Sequence, residues 1–157
     1  MLKIYQSSLL DYKICFNLLD NKTGDLEYYK NLGWGLDQFK SQLKKENNLG
    51  LLISHNKILQ GFLIGDIIKI EKETEYEILL IYIKNESRML GYATKLLNHI
   101  PLIYNNKFLK KIYLEVASNN LPAIELYRKN NFNQISIRKK YYKIENKKID
   151  AYLYQKE

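Results

Sequence analysis

Cysteine, histidine and proline are scarce in this chain, and each shortage excludes something. The one cysteine, Cys15, has no partner for an intrachain disulfide, and His55 and His99 lie too far apart in sequence to form a metal-ligand cluster of recognisable spacing. No metal is expected, and the composition suits a reducing compartment. Long hydrophobic runs are also missing. The longest strictly apolar stretch, Ile78 to Ile83, is far too short to cross a bilayer, and the opening MLKIYQSSLLDYK has no apolar core of an export signal. A cytoplasmic protein with no membrane partner is the expectation. Repeats, Gly/Ser linkers and low-complexity tails are absent, so residues 1–157 read as one domain. A chain of that length buries roughly two thirds of its unfolded surface without disulfides or metals.

Acidic residues are outnumbered by basic ones, 17 against 25, giving a formal charge of +8. The lysines are spread along the chain, and no basic run is interleaved with aromatics. The pattern reads as a solvated basic surface, and no specific nucleic-acid binding is expected. A site for a phosphate-bearing cofactor is compatible with it.

What is present is a regular alternation of apolar segments. Leu2 to Gln6 reads as a short strand, and Leu9, Ile14, Phe16, Leu18 and Leu19 as a helix. A loop rich in Asn, Gly and Asp follows, and a second helix starts at about Leu36. Residues 49–55 and 58–67 are strands joined across His55-Asn56-Lys57, and YEILLIYI (76–83) is a nearly continuous apolar strand of the kind covered on both faces. A helix beginning near Leu90 presents Ala93, Leu96, Leu97 and Ile100, and Pro101 predicts a bend or an early end. KIYLEVAS (111–118) is a strand with Ile112, Leu114 and Val116 on one face, Tyr113 and Glu115 on the other. Asn119 or Asn120 caps the next helix, whose first turn holds Pro122 and whose buried stripe includes Ala123, Ile124, Leu126 and Tyr127. Asn130-Asn131 stops it, and two strands, about 132–140 and 149–155, close the chain. The order βααβββαβαββ implies a mixed α/β sheet with helices on both faces.

One segment breaks a local rule. In ESRMLGYATKLL (86–97), Gly91 sits where a helix must start, although glycine costs about 1 kcal/mol against alanine inside a helix. A strand running into a glycine-bearing turn and then a helix offers unpaired N–H groups and a positive helix end to an anion. Gly91 allows close approach there, and Ala93 keeps the next position small.

The sequence R-x-x-G-x-A, a helix, the strand LEVAS and then N-x-x-A-x-x-L-Y resembles the acetyl-CoA-dependent N-acetyltransferases of the GNAT superfamily. IYLEVASNNLPAIELYRKNNF, RKKYY and Asp150-Ala151, with NLGWGLDQF further upstream, resemble its ribosomal-protein-alanine (RimI) type. The resemblance implies a GNAT-like domain whose mixed, mostly antiparallel sheet has about seven strands flanked by about four helices. It also implies acetyl-CoA as cosubstrate and direct acetyl transfer to the N-terminal α-amine of a protein or peptide, a small-subunit ribosomal protein being one candidate. Arg88 and the backbone amides of Met89, Leu90, Gly91, Tyr92, Ala93 and Thr94 then hold the pyrophosphate, Ile81 and Ile83 offer backbone groups to the pantetheine arm, and Asn120 contacts the cofactor. Glu115 matches the family's general base and Tyr127 the acid for the departing thiolate, while Trp34, Tyr141 and Tyr142 match residues near the acceptor. Ala117 stands where the family usually has arginine, which bears on peptide recognition. Leu80, Pro101 and Asn131 also depart from the usual pattern. A lysine, a polyamine or another small amine is the alternative acceptor, and a non-catalytic module binding the ribosome or nucleic acid is the alternative class.

Overall fold

The computed structural model describes residues 1–103 and 109–157. Its strands are β1 (Leu2–Gln6), β2 (Asn48–His55), β3 (Ile58–Ile70), β4 (Glu73–Ile83), β5 (Leu109–Ala117), β6 (Asn133–Ile144) and β7 (Lys147–Lys156). Its helices are α1 (Tyr12–Leu18), α2 (Asp25–Asn31), α3 (Leu36–Leu43), α4 (Tyr92–Ile103) and α5 (Leu121–Lys129), with 3-10 turns at Leu9–Asp11 and Asn85–Ser87. The strands form one sheet in the order β1-β2-β3-β4-β5-β7-β6. Every pairing is antiparallel except β4 with β5. Two of the hairpins turn through adjacent left-handed residues, Asn56-Lys57 and Glu145-Asn146, whose backbone twist matches that of the strands they join.

Two hydrophobic layers cover the sheet. On one face Leu96, Leu97 and Ile100 of α4 and Ile124 and Tyr127 of α5 pack with Leu51, Ile53, Leu63, Ile112, Leu114 and Val116. On the other, Cys15, Phe39 and Leu43 from α1 and α3 pack with Leu52, Phe62 and Ile64. Strand alternation sorts the residues: Leu51 and Ile53 face α4, and Leu52 between them faces α3.

The structure differs from the sequence reading at several points. The stretch read as a loop before Leu36 contains α2, so among the described residues five helices flank the sheet instead of about four. This helix has seven residues, starts after Gly24 with no side-chain cap, and presents only Leu26 and Tyr29 to the core, too little for a periodic signal. Pro101, where the sequence predicts a bend or an early end, lies inside α4, whose described residues run to Ile103. Removing one N–H costs the bond to the Leu97 carbonyl. Burial of Ile100 and the packing of Ile103 on the same core hold the turn together. Strands β3 and β4 also extend to Ile70 and back to Glu73, beyond the limits read from the sequence. The first predicted helix begins as a 3-10 turn, where the Ser8 hydroxyl accepts from Leu10 N–H at 3.2 Å and Asp11 accepts from Ser8 N–H at 2.6 Å. Among the described residues, no helix is long and apolar enough to cross a membrane.

Candidate active site

The site arises from a fault in the middle of the sheet. The parallel register of β4 and β5 runs from Thr74↔Leu109 to Ile78↔Leu114 and goes no further. Beyond it, β5 stays with β7 as far as Ala117, and β4 stays with β3 as far as Ile83. The strands part where β4 carries a bulge: Ile78 opposes Gly65 and Leu80 opposes Ile64, leaving Leu79 unopposed. One extra residue reverses the facing of everything after it. Tyr76 and Ile78 therefore join the α4 side of the core, whereas Leu80 and Tyr82 join the α3 side. Gly65 makes the bulge possible, since a Cβ there would lie 2.3 Å from the Glu77 carbonyl oxygen.

At the open end of β4 lies the glycine turn. Met89 and Gly91 have φ of 62° and 79°, and the side chains of Met89 and Leu90 project into solvent. The first bond of α4 runs from Lys95 N–H to the Gly91 carbonyl, 3.1 Å, so the amides of Tyr92, Ala93 and Thr94 precede the helical ladder. A Cβ on Gly91 would meet nothing within 4 Å. The glycine is therefore required by its left-handed backbone, and the space beside it is open. The turn is anchored from behind by the Ser87 hydroxyl, which donates to Gln60 Oε1 at 2.5 Å, and by His55 Nδ1, 2.9 Å from the Tyr92 hydroxyl. These features fit the pyrophosphate of acetyl-CoA.

On the α3 side of the parting, a cleft of about 490 Å³ is lined by Trp34, Glu77, Glu115, Tyr141 and Tyr142, with Gln42, Lys45 and Asp66 among its other walls. Glu115, two residues before the end of β5, lines the cleft and pairs with Arg138 Nη1 at 3.0 Å. Asp66 pairs with Lys45 at 3.2 Å and accepts from Gln42 Nε2 at 2.6 Å. Burial raises the pKa of Glu77, and the nearby charges of Glu115 and Asp66 raise it further against the opposing pull of Arg138 and Lys45. Tyr141 reaches the cleft through an irregularity in β6. Arg138 opposes Ala151 and Tyr142 opposes Ile149, with the intervening Lys140 at φ 52°. Asp150 holds that bend by accepting from Lys140 N–H at 2.8 Å and pairing with Lys139 at 3.3 Å. Its own pKa falls, chiefly through the Lys140 amide.

Tyr127 is 5% exposed, its ring against Phe132 and Tyr154 with centroids 5.7 and 6.3 Å away. Its pKa is raised, mainly by burial and further by Tyr29 and Tyr142, so it holds its proton beyond the ordinary tyrosine range near 10. Tyr142 is raised in the same way, with burial first and Glu115 next. Cys15 is fully buried in the α3-side core, and burial, followed by Asp11, raises its pKa to about 12. Its thiol is therefore an inert packing group at neutral pH. Iodoacetamide at pH 8 should leave Cys15 unmodified in the native protein and alkylate it in urea. Cys15→Ala should keep its turnover, and an acetyl adduct on Cys15 that chases into product would contradict direct transfer.

The cleft thus brings together Glu115, Trp34, Tyr141 and Tyr142, four of the residues selected from the sequence, while Tyr127 lies outside its lining. Ile81 and Ile83 lie on the separated part of β4, but the Ile83 carbonyl already accepts from Arg88 Nε at 3.0 Å. Arg88 directs its guanidinium to Asp25, and Asn120 caps α5 by accepting from Ala123 N–H at 3.4 Å. Sequence reasoning missed Glu77, Gln42, Asp66, Tyr29 and Asp25. Of these only Glu77 left a readable trace, as the single charge within YEILLIYI.

Comparison with known proteins fits this geometry. Residues 12–132 match the Acetyltransferase (GNAT) family. The chain is 30% identical over 122 residues to N-alpha-acetyltransferase 50 of Danio rerio, covering 76% of this chain and 71% of that protein. Its fold resembles the crystal structure of the ribosomal-protein-S18-alanine N-acetyltransferase from Escherichia coli, with a TM-score of 0.76 at 21% identity over 99% of this chain and 92% of that one. It also resembles Arabidopsis thaliana NAA60 in complex with acetyl-CoA, with a TM-score of 0.75 at 17% identity over 99% and 98% of the two chains. The matched segment contains the parted strands, the glycine turn, Glu115 and Tyr127, and the chain belongs to the GNAT family of acetyltransferases.

Proposed function

We propose that this protein transfers the acetyl group of acetyl-CoA directly to the N-terminal α-amine of a protein or peptide. The observation that carries the reading is the cleft at the parting of β4 and β5, where Glu115, Trp34, Tyr141 and Tyr142 converge. Acetyl-CoA supplies an activated thioester, and the amides of residues 89–94 with the start of α4 hold its pyrophosphate. The exposed edge of β4 receives the pantetheine arm. An α-amine has a reference pKa of about 7.7 to 8.0 and must be neutral to attack. Glu115 takes its proton directly or through water, while Tyr127 supplies a proton to the leaving sulfur. Positioning the two reactants in one cleft contributes much of the rate. The name of the Danio rerio relative supports an α-amine acceptor.

A second reading, a small polyamine as acceptor, is favoured by the three carboxylates Asp66, Glu77 and Glu115 on one cleft. Acetyl-CoA consumption should therefore be measured with short peptides bearing a free N-terminal alanine or serine, with the same peptides α-blocked, and with spermidine. Turnover is expected only with the free peptides. Glu115→Gln should slow it most below about pH 7, where more of the amine is protonated. Turnover of spermidine alone would replace the reading.

A further inference from the structure

Helix α2 is poorly secured by its own sequence. It has no side-chain cap, and none of its seven residues is buried. Yet it occupies a critical place: Tyr29 raises the pKa of Tyr127, and the following Leu32, Gly33 and Trp34 form one wall of the cleft. The backbone N–H of Trp34 donates to the Tyr29 carbonyl at 2.9 Å and ties this wall back to the helix.

What secures α2 is its first residue. Asp25 Oδ2 accepts from the Tyr82 hydroxyl at 2.8 Å and from Arg88 Nη2 at 2.6 Å. A carboxylate in the first turn also suits the positive end of the helix. Arg88 is itself held, donating from Nε to the Ile83 carbonyl at 3.0 Å and from Nη1 to Asn85 Oδ1 at 3.2 Å. Its guanidinium lies 5.6 Å from the centre of the Tyr82 ring, which meets the Tyr29 ring edge-on at 5.6 Å. Arg88 opens the same turn that continues through Met89 and Gly91 into α4. One carboxylate therefore joins the helix behind the acceptor wall to the turn assigned to the pyrophosphate.

We infer that Asp25 is a positioning residue that couples the Arg88–Gly91 turn to the acceptor wall. An anion that orders the turn fixes Arg88, Arg88 fixes Asp25, and α2 then holds Trp34 in place for the acceptor. The inference rests on the proposed function for the identity of the two ligands.

Hydrogen exchange of the full-length protein with and without acetyl-CoA tests it without requiring an acceptor. In the wild type, acetyl-CoA should protect the turn at residues 89–94 and also slow exchange in residues 25–31 about fivefold, the scale of a partly exposed charge pair. Asp25→Asn should keep protection of the turn and lose it in α2. The same variant should raise the peptide KM about five- to tenfold while changing the acetyl-CoA Kd less than about twofold. Asp25→Glu, which keeps the carboxylate, should recover both effects in part. Protection of the turn with no change in α2, equal shifts in peptide KM and acetyl-CoA Kd, or no recovery in Asp25→Glu would overturn the coupling. An unprotected turn in the wild type would overturn the cofactor assignment, and the coupling with it.

Discussion

Replacing Tyr127 with phenylalanine is expected to lower kcat about a hundredfold, the low end of what one positioned general acid contributes, and to leave the acetyl-CoA Kd within about twofold. The substitution removes a hydroxyl and keeps the ring, so the packing against Phe132 and Tyr154 persists and the fold should hold. A leaving thiolate is most in need of a proton as charge develops on sulfur, and the loss should therefore fall on kcat more than on binding. The raised pKa of Tyr127 adds a pH expectation. Because burial favours its neutral form, the hydroxyl remains a donor throughout the neutral range, and wild-type turnover should show no alkaline loss from this group up to about pH 10. Steady-state kinetics and calorimetry on the same preparation check both statements. An unchanged kcat in a folded Tyr127→Phe protein would remove Tyr127 from the mechanism.

Gly91→Val is expected to weaken acetyl-CoA binding about a hundredfold, the loss of one or two charge-assisted bonds from backbone N–H to phosphate. No atom beyond the adjoining residues lies within 4 Å of a Cβ added at Gly91, so the first added carbon meets open space. Its folding cost is the left-handed backbone at φ 79°, on the order of 1–2 kcal/mol for a residue with a side chain. Binding suffers more, because relaxing that backbone re-aims the amides of the turn and a branched side chain fills the open space beside them. Gly91→Ala should lie between the two. Calorimetric affinity for acetyl-CoA, set beside the thermal midpoint of each variant, separates the effects. Unchanged affinity in a folded Gly91→Val protein would show that the turn does not hold the pyrophosphate.

The parts of the fold legible in the sequence are those where one periodicity dominates. Alternation in KIYLEVAS placed Ile112, Leu114 and Val116 in the core and Glu115 opposite them, as the structure has it. The glycine at the head of α4 was visible because it violates helix propensity. Helix α2 was not, since two apolar contacts one turn apart in DLEYYKN do not make a stripe. The bulge at Leu79 was hidden for a different reason. In a nearly continuous apolar strand every position can face a core, so an inserted residue leaves no break in the pattern, although it decides which core Leu80 and Tyr82 enter. Within the candidate site, Asp66 on β3 and Gln42 on α3 come from elements distant in sequence from Glu115, and the register of the sheet together with the packing of α3 on it brings them to one cleft. Asp25 and Arg88, 63 residues apart, meet because α2 packs its first residue against Tyr82 near the end of β4.

The most direct test uses one short peptide that carries both a free N-terminal alanine and an internal lysine, incubated with acetyl-CoA and the protein at pH 7 and sequenced by tandem mass spectrometry. The α-amine is less basic than the lysine ε-amine by about 2.5 pK units, so far more of it is neutral and open to attack at that pH. Acetyl found on the N-terminal alanine, with the lysine unmodified, is the predicted result; acetyl on the lysine alone would contradict it.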